Sequence, residues 1–140
     1  MKKYKDLDQV LAEVQEPGMG YYINYVHTGM SYNTFETQSK KVPFTQQDWS
    51  KALQLSERTF QRYKKDNKRF EGLYTEKILE IILLFKRGNT IFGSEDLFYT
   101  WLNTPSQAMG HIIPITIIDN TFGIQAVNQE LGKIEQGVFA

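Results

Sequence analysis

Few residues in this chain are placed to do covalent chemistry. The two histidines, His27 and His111, stand 84 positions apart, and neither has a carboxylate or thiolate at metal-ligand spacing. There is no cysteine, which removes disulfides and thiolate metal sites together. Glu95 and Asp96 make a carboxylate pair, but acids in the first turn of a helix are accounted for by the helix dipole. No phosphate-cradling or dinucleotide-binding glycine motif is present; Gly18, Gly20 and Gly29 read as turn glycines. No cofactor and no enzymatic activity are expected.

The chemistry that is legible is that of binding. Ser56, Arg58, Thr59 and Arg62 fall in the first two turns of a short segment with helical spacing. Arginine can make bidentate contact with guanine, and serine or threonine can reach a base edge or a phosphate. Lys64, Lys65, Lys68 and Arg69 follow and would add salt-dependent affinity for a phosphate backbone. The formal net charge is zero, yet it is unevenly spread. Residues 45–69 hold seven basic residues (Lys51, Arg58, Arg62, Lys64, Lys65, Lys68, Arg69) against Asp48, Glu57 and Asp66. Residues 94–140 hold Lys133 alone against Glu95, Asp96, Asp119, Glu130 and Glu135. Two faces with different partners are implied, the first partner being an anion.

The elements that position these groups read as helices. Leu7, Val10, Leu11 and Val14 have helical spacing over residues 3–16, and Pro17-Gly18 breaks the run. The sequence leaves this opening helix either loosely packed or disordered in isolation. Tyr21 to His27 forms a second helix. Ser31 caps a third that runs to about Lys40, and Val42-Pro43-Phe44 ends it. Thr45 and Asp48 resemble a capping box ahead of a helix with Trp49, Ala52 and Leu53 inward. Gln54-Leu55 turns the chain, and Ser56 caps a helix to about Lys65 or Asp66, with Phe60 and Tyr63 on its inner side. Two short helices joined by a tight turn make a helix-turn-helix, which can lay its second helix in a DNA major groove. The same residues also fit a solvated basic helix on an ordinary bundle.

Residues 74–92 form a long helix, apolar around most of its girth and therefore the core organiser, with Gly88 as a point of weakness or bending and Gly93 as its C-cap. Ser94 caps a helix to Leu102, with Leu97, Phe98, Trp101 and Leu102 inward. A loop over 106–116, with an apolar turn around Pro114, leads to a last helix from Asp119 to about Gln136, apolar at Ile124, Val127, Leu131 and Ile134. Gly137 ends it and leaves Val138-Phe139-Ala140, an apolar segment that suits either a partner's pocket or the protein's own core. The fold is expected to be all-α. The N-terminus has no signal-peptide pattern, and the apolar run from Ile78 to Phe85 is too short to span a bilayer, so a cytoplasmic protein without a membrane partner is expected.

Four stretches in order resemble one family. Leu55-Ser56-Glu57-Arg58-Thr59-Phe60-Gln61-Arg62 is similar to the "LS-x-RT-x-x-R" signature of Xre-type antitoxins. Phe92-Gly93 with Trp101-Leu102-Asn103-Thr104-Pro105 resembles its "FG … WL-x-TP" pattern. Ala108-Met109-Gly110, Pro114 and Ile117-Ile118 fall where the family has "ALG … P-x-x-LL", and Leu131 to Ala140 resembles "LGRIEHGVFA". Gln136 stands where histidine is common, and Lys133 where arginine is. The resemblance covers roughly residues 44–140, more weakly from Tyr21.

It implies an antitoxin of the Xre/MbcA/ParS toxin-binding class, with a Cro-like helix-turn-helix bundle joined by the long central helix to a small helical toxin-binding domain. The division it suggests is an N-terminal extension over 1–20, a DNA-binding domain over 21–73 and a toxin-binding domain over 74–140. The implied partner is a RES-domain toxin, a relative of ADP-ribosyltransferases that consumes NAD. Leu131, Ile134, Glu135, Gln136, Gly137, Val138, Phe139 and Ala140 would contact that toxin, and the terminal segment would obstruct its active site. Ser56, Arg58, Thr59, Arg62, Lys64, Lys65, Lys68 and Arg69 would bind operator DNA, usually as a homodimer that represses its own operon. A helix-turn-helix regulator with no toxin partner is the alternative.

Overall fold

A computed structural model of the chain describes residues 19–137, with side chains from Tyr22 onward. The helix expected over residues 3–16 and the segment Val138-Phe139-Ala140 lie outside the described residues. Seven α-helices and two 3-10 turns make up the described part, with no β-strand in it. The all-α expectation holds. The helices are α1 (Met19–Thr28), α2 (Tyr32–Ser39), α3 (Gln46–Leu53), α4 (Glu57–Asp66), α5 (Gly72–Phe92), α6 (Glu95–Leu102) and α7 (Thr121–Glu135). The 3-10 turns Gln107–Met109 and Pro114–Ile117 lie between α6 and α7.

Capping fixes where most of these helices begin. Ser31, Ser56, Ser94 and Asn120 each accept a hydrogen bond from the backbone N–H three residues on. At α3 the Thr45 hydroxyl accepts from the Asp48 N–H at 3.1 Å, while the Asp48 carboxylate accepts from the Thr45 N–H at 2.8 Å. That reciprocal pair is a capping box with aspartate in the usual glutamate position. Asn120 rather than Asp119 caps α7, so the helix starts two residues later than Asp119.

α5 is the axis. Its buried residues Ile78, Leu79, Ile81, Ile82, Leu84 and Phe85 point to more than one side, because α1, α2 and α3 pack on it from one half of the chain and α6 and α7 from the other. It starts at Gly72, so the domain boundary expected at 73/74 falls inside its first turn. The core is correspondingly undivided. Ring contacts run from Phe60 to Phe35 (5.8 Å between centroids), to Trp49 (5.1 Å), to Phe44 (5.2 Å), to Phe85 (5.4 Å) and to Phe98 (5.3 Å). Most are edge-on or tilted, as the ring quadrupoles favour.

Two glycines are there for close approach. A Cβ on Gly88 would lie 2.3 to 2.4 Å from the tip atoms of the Phe98 ring. α5 continues unbroken through this residue to Phe92, so Gly88 is a seat for Phe98 rather than a point of weakness. A Cβ on Gly123 would stand 1.5 Å from the Ile117 carbonyl oxygen, which lets the start of α7 press on the preceding 3-10 turn. One inward expectation fails. Leu97 is 58% exposed, because α6 turns Phe98 and Leu102 to α5 and carries Leu97 about 100° away from Phe98.

Candidate functional site

The first candidate surface is α4 and the chain that follows it. α3 and α4 are joined through Gln54 and Leu55; Gln54 adopts a left-handed conformation (φ 55°) and caps α3. The Ser50 hydroxyl donates to the Leu55 carbonyl across this corner. Phe60, 1% exposed, pins α4 to the aromatic core. The opposite side of α4 carries Arg58, Arg62 and Lys65 at intervals of four and three, all exposed. They form one stripe along the helix. None of the three makes an ion pair among the described residues.

The other five predicted DNA-binding residues also do structural work. The Ser56 hydroxyl accepts from the Thr59 N–H at 3.1 Å and lies 2.9 Å from the Thr59 hydroxyl, so the two cap α4 as a pair. Lys64 faces Glu36 of α2 at 3.9 Å. The Lys68 ammonium sits 5.6 Å from the centre of the Tyr63 ring. Arg69 donates to the Gly29 carbonyl at 2.8 Å. An antiparallel bridge between Ser31 and Arg69 holds this stretch, with Tyr32 N–H donating to Lys68 O (2.9 Å) and Phe70 N–H to Met30 O (2.8 Å). The structure therefore separates a clear stripe of three cations from a tethered group beside it.

The second candidate surface is the end of α7. Leu131 is fully buried. As placed, it offers nothing to a partner and instead anchors the helix. Ile134 is half-buried, and Glu135, Gln136 and Gly137 are exposed. Gly137 is left-handed (φ 71°), and its N–H donates to the Ile134 carbonyl at 3.0 Å. The chain thus turns sharply where α7 stops. Val138, Phe139 and Ala140 lie outside the described residues.

Sequence reasoning missed the residue that fixes this end. Arg87 of α5 donates from Nη1 to the Asn128 carbonyl (3.1 Å) and to Asn128 Oδ1 (3.0 Å), and its Nη2 lies 3.9 Å from Glu135. A Cβ on Gly132 would come within 3.4 Å of the same Nη2, so Gly132 leaves room for the guanidinium. The available signal was position. Arg87 is the last arginine in the chain, and Lys86-Arg87 are the only basic residues between Lys77 and Lys133. Exposed Lys133 pairs with the mostly buried Glu130 one turn earlier on α7, at 3.1 Å.

Neither histidine belongs to a site. His27 and His111 are exposed, and no group of three potential ligands for a metal ion occurs among the described residues. No helix among the described residues is long and apolar enough to cross a membrane.

The comparisons bear on the second surface. Residues 87–137 match the family described as the antitoxin Xre/MbcA/ParS C-terminal toxin-binding domain. The match starts at Arg87 and ends at Gly137, so it encloses the clamp and the turn. A curated relative, the antitoxin Xre of Yersinia enterocolitica (serotype O:8 / biotype 1B, strain NCTC 13174 / 8081), is 25% identical over 91 residues. The aligned part is 64% of this chain and 62% of that protein, so the chain spans under two thirds of its relative's length. Residues 87–137 are thus similar to a toxin-binding domain, and part of the chain is similar to an antitoxin.

Proposed function

We propose that this chain is the antitoxin of a type II toxin-antitoxin system, that it neutralises a RES-type, NAD-consuming toxin by occluding its active site, and that it represses its own operon by binding DNA. The observation that carries the reading is the end of α7, within the segment similar to a toxin-binding domain. Arg87 holds the helix down, and half-buried Ile134 with exposed Glu135, Gln136 and Gly137 forms a fixed base at its end. Inhibition is then steric. It needs a firmly oriented segment, not a catalytic group.

DNA binding is assigned to α4. Arg58, Arg62 and Lys65 face solvent in one line, and Ser56 and Thr59 sit at the N-terminal end, where a recognition helix approaches base edges. Lys64, Lys68 and Arg69 flank the helix and suit backbone phosphates. A ten-residue helix reads few base pairs, so the operator-binding form is a homodimer on half-sites about 34 Å apart.

Coexpression with the toxin, read out by growth and cellular NAD, tests the proposal together with operator binding. Removing residues 137–140 is expected to restore NAD loss while the operator is still bound. Arg58→Ala with Arg62→Ala is expected to do the reverse: weaker operator binding with relaxed base preference, and full neutralisation. A truncated protein that still protects NAD refutes the occluding role. A chain that binds operator but neutralises no RES-type toxin supports the regulator reading instead.

A further inference from the structure

The end of α7 has a neighbour at the same end of the bundle. Glu80 of α5 hydrogen-bonds through its side chain to Thr121, and Arg87 of α5 donates to Asn128 at the same separation of 41 residues. Equal offsets mean that α7 runs parallel to α5 and in step with it. Glu135 is then level with Ser94, where α6 begins. The last turn of α7 and the first turn of α6 both pack on the final turns of α5. Packed helices lie about 8–10 Å apart, so the two turns fall within ~20 Å of each other.

Leu97 stands in that first turn, 58% exposed. Trp101 follows four residues on and shares its face of α6. The Trp101 ring is held by Phe98 (6.1 Å between centroids, 16° between planes) and by Phe92 (5.7 Å), so the face has a rigid base. Glu95 and Asp96 flank Leu97, exposed and without an ion pair among the described residues. At the end of α7, half-buried Ile134 and exposed Glu135 repeat this mixture of apolar and acidic groups.

We propose that Leu97 is an anchor for the toxin, on an interface that runs from the end of α7 to the first turn of α6 and meets an apolar pocket of the toxin rimmed by lysine or arginine. This anchor presupposes the antitoxin reading above. Three observations select the toxin as the occupant. The first is place: Leu97 lies inside residues 87–137, the segment similar to a toxin-binding domain. The second is continuity. A standard interface takes about 800 Å² from each partner, a patch ~30 Å across, and a patch of that width centred on the end of α7 covers the first turn of α6. The third is charge. Glu95 and Asp96 carry charge that no cation among the described residues pairs with, which favours a basic partner surface. A leucine on a rigid base also loses little freedom when a partner covers it.

The test uses the full chain and a RES-type toxin that it neutralises, with affinity measured on the purified pair and neutralisation read as growth and cellular NAD. Leu97→Ala is expected to leave Tm within about 2 °C, because the side chain is exposed. It is expected to weaken toxin binding about tenfold, the effect of withdrawing three carbons from a partner's pocket. Leu97→Met should stay within about threefold of the parent. Phe122→Ala removes a side chain that is 84% exposed but stands about 20 Å back along α7, and should bind as the parent does. Glu95→Gln with Asp96→Asn should slow association several-fold at low salt.

A loss of under about threefold for Leu97→Ala overturns the proposal. So does an equal loss for Phe122→Ala, because the contact is then not confined to this end of the bundle. A homodimer that Leu97→Ala dissociates, with toxin affinity unchanged, assigns the face to a second copy and overturns it as well. The two readings fail differently. A parent chain that neutralises no RES-type toxin sinks the antitoxin reading and the anchor together, whereas parental affinity in Leu97→Ala sinks the anchor alone.

Discussion

Gly88→Ala sets two effects of opposite sign against each other. Alanine is the better helix former by about 1 kcal/mol, so on propensity alone the substitution in the middle of α5 stabilises the protein. The structure gives the other sign. The new methyl carbon would lie 2.3 Å from one tip atom of the Phe98 ring and 2.4 Å from two more. Phe98 is fully buried, with Phe85, Phe92 and Trp101 at centroid distances of 5.3, 5.7 and 6.1 Å, so the ring has nowhere to withdraw. Overpacking of this kind costs up to about 3 kcal/mol or more. The net expectation is a loss of about 1 to 2 kcal/mol. For a domain of this size that is a fall in Tm of about 3 to 8 °C. Thermal and urea unfolding of the two proteins measure it. Phe98→Leu in the Gly88→Ala background supplies the cycle, since the smaller side chain should recover part of the loss. An unchanged or higher Tm for Gly88→Ala would mean that the Phe98 ring is not seated on α5 as described, and the reasoning fails.

Arg87→Ala removes two hydrogen bonds to Asn128 and the approach to Glu135, and should cost about 1 to 2 kcal/mol. Amide exchange should rise over 128–135 and not over 46–66, and Arg87→Lys should recover only part of the protection, because lysine lacks the planar fork. Thr75→Val should lose about 2 to 4 kcal/mol in chemical denaturation. The buried hydroxyl accepts from the Met30 N–H and donates to the Phe70 carbonyl, both at 3.0 Å, and an isosteric valine abandons both groups. Glu80→Gln should change the pH profile of stability. Burial first, then Glu76, raises the Glu80 carboxyl above its usual 4.5. Between 4.5 and the raised value the folded chain binds the extra proton, so Glu80 makes stability increase as pH falls through the raised value. The glutamine variant should lose that gain and be more stable than the parent at neutral pH. A parallel shift of the whole profile would count against the assignment.

The helices were legible because their signals are local. Ser31, Thr45, Ser56 and Ser94 each cap where a hydroxyl precedes an apolar-periodic run, and the α3 to α4 corner follows directly from two such caps. Residues whose role depends on a distant partner were not legible. Gly88 looks like a helix defect until Phe98 is laid on it, and Gly123 looks like an ordinary helix residue until the Ile117 carbonyl is brought beside it. Arg87 is silent in the sequence because its acceptors on α7 lie 41 residues away. Leu97 was expected inside, but a helix of only eight residues shows one apolar face to α5, and four apolar residues do not fit on it. At the basic surface, residue type gave the charge of the six cationic candidates. Only the packing separates the open stripe of Arg58, Arg62 and Lys65 from Lys64, Lys68 and Arg69, whose groups are already engaged.

The chain of rings from Phe60 to Phe98 has a consequence for the protein's lifetime. Two units with separate cores can open one at a time, and a protease then removes the weaker one first. Here the helix with the basic stripe and the helices beside the C-terminal surface share a single aromatic interior around α5. Loss of the core around α5 therefore removes both ends together, while the end of α7 can still open locally at lower cost. A protease that waits for global unfolding then meets both surfaces at once, not one unit before the other.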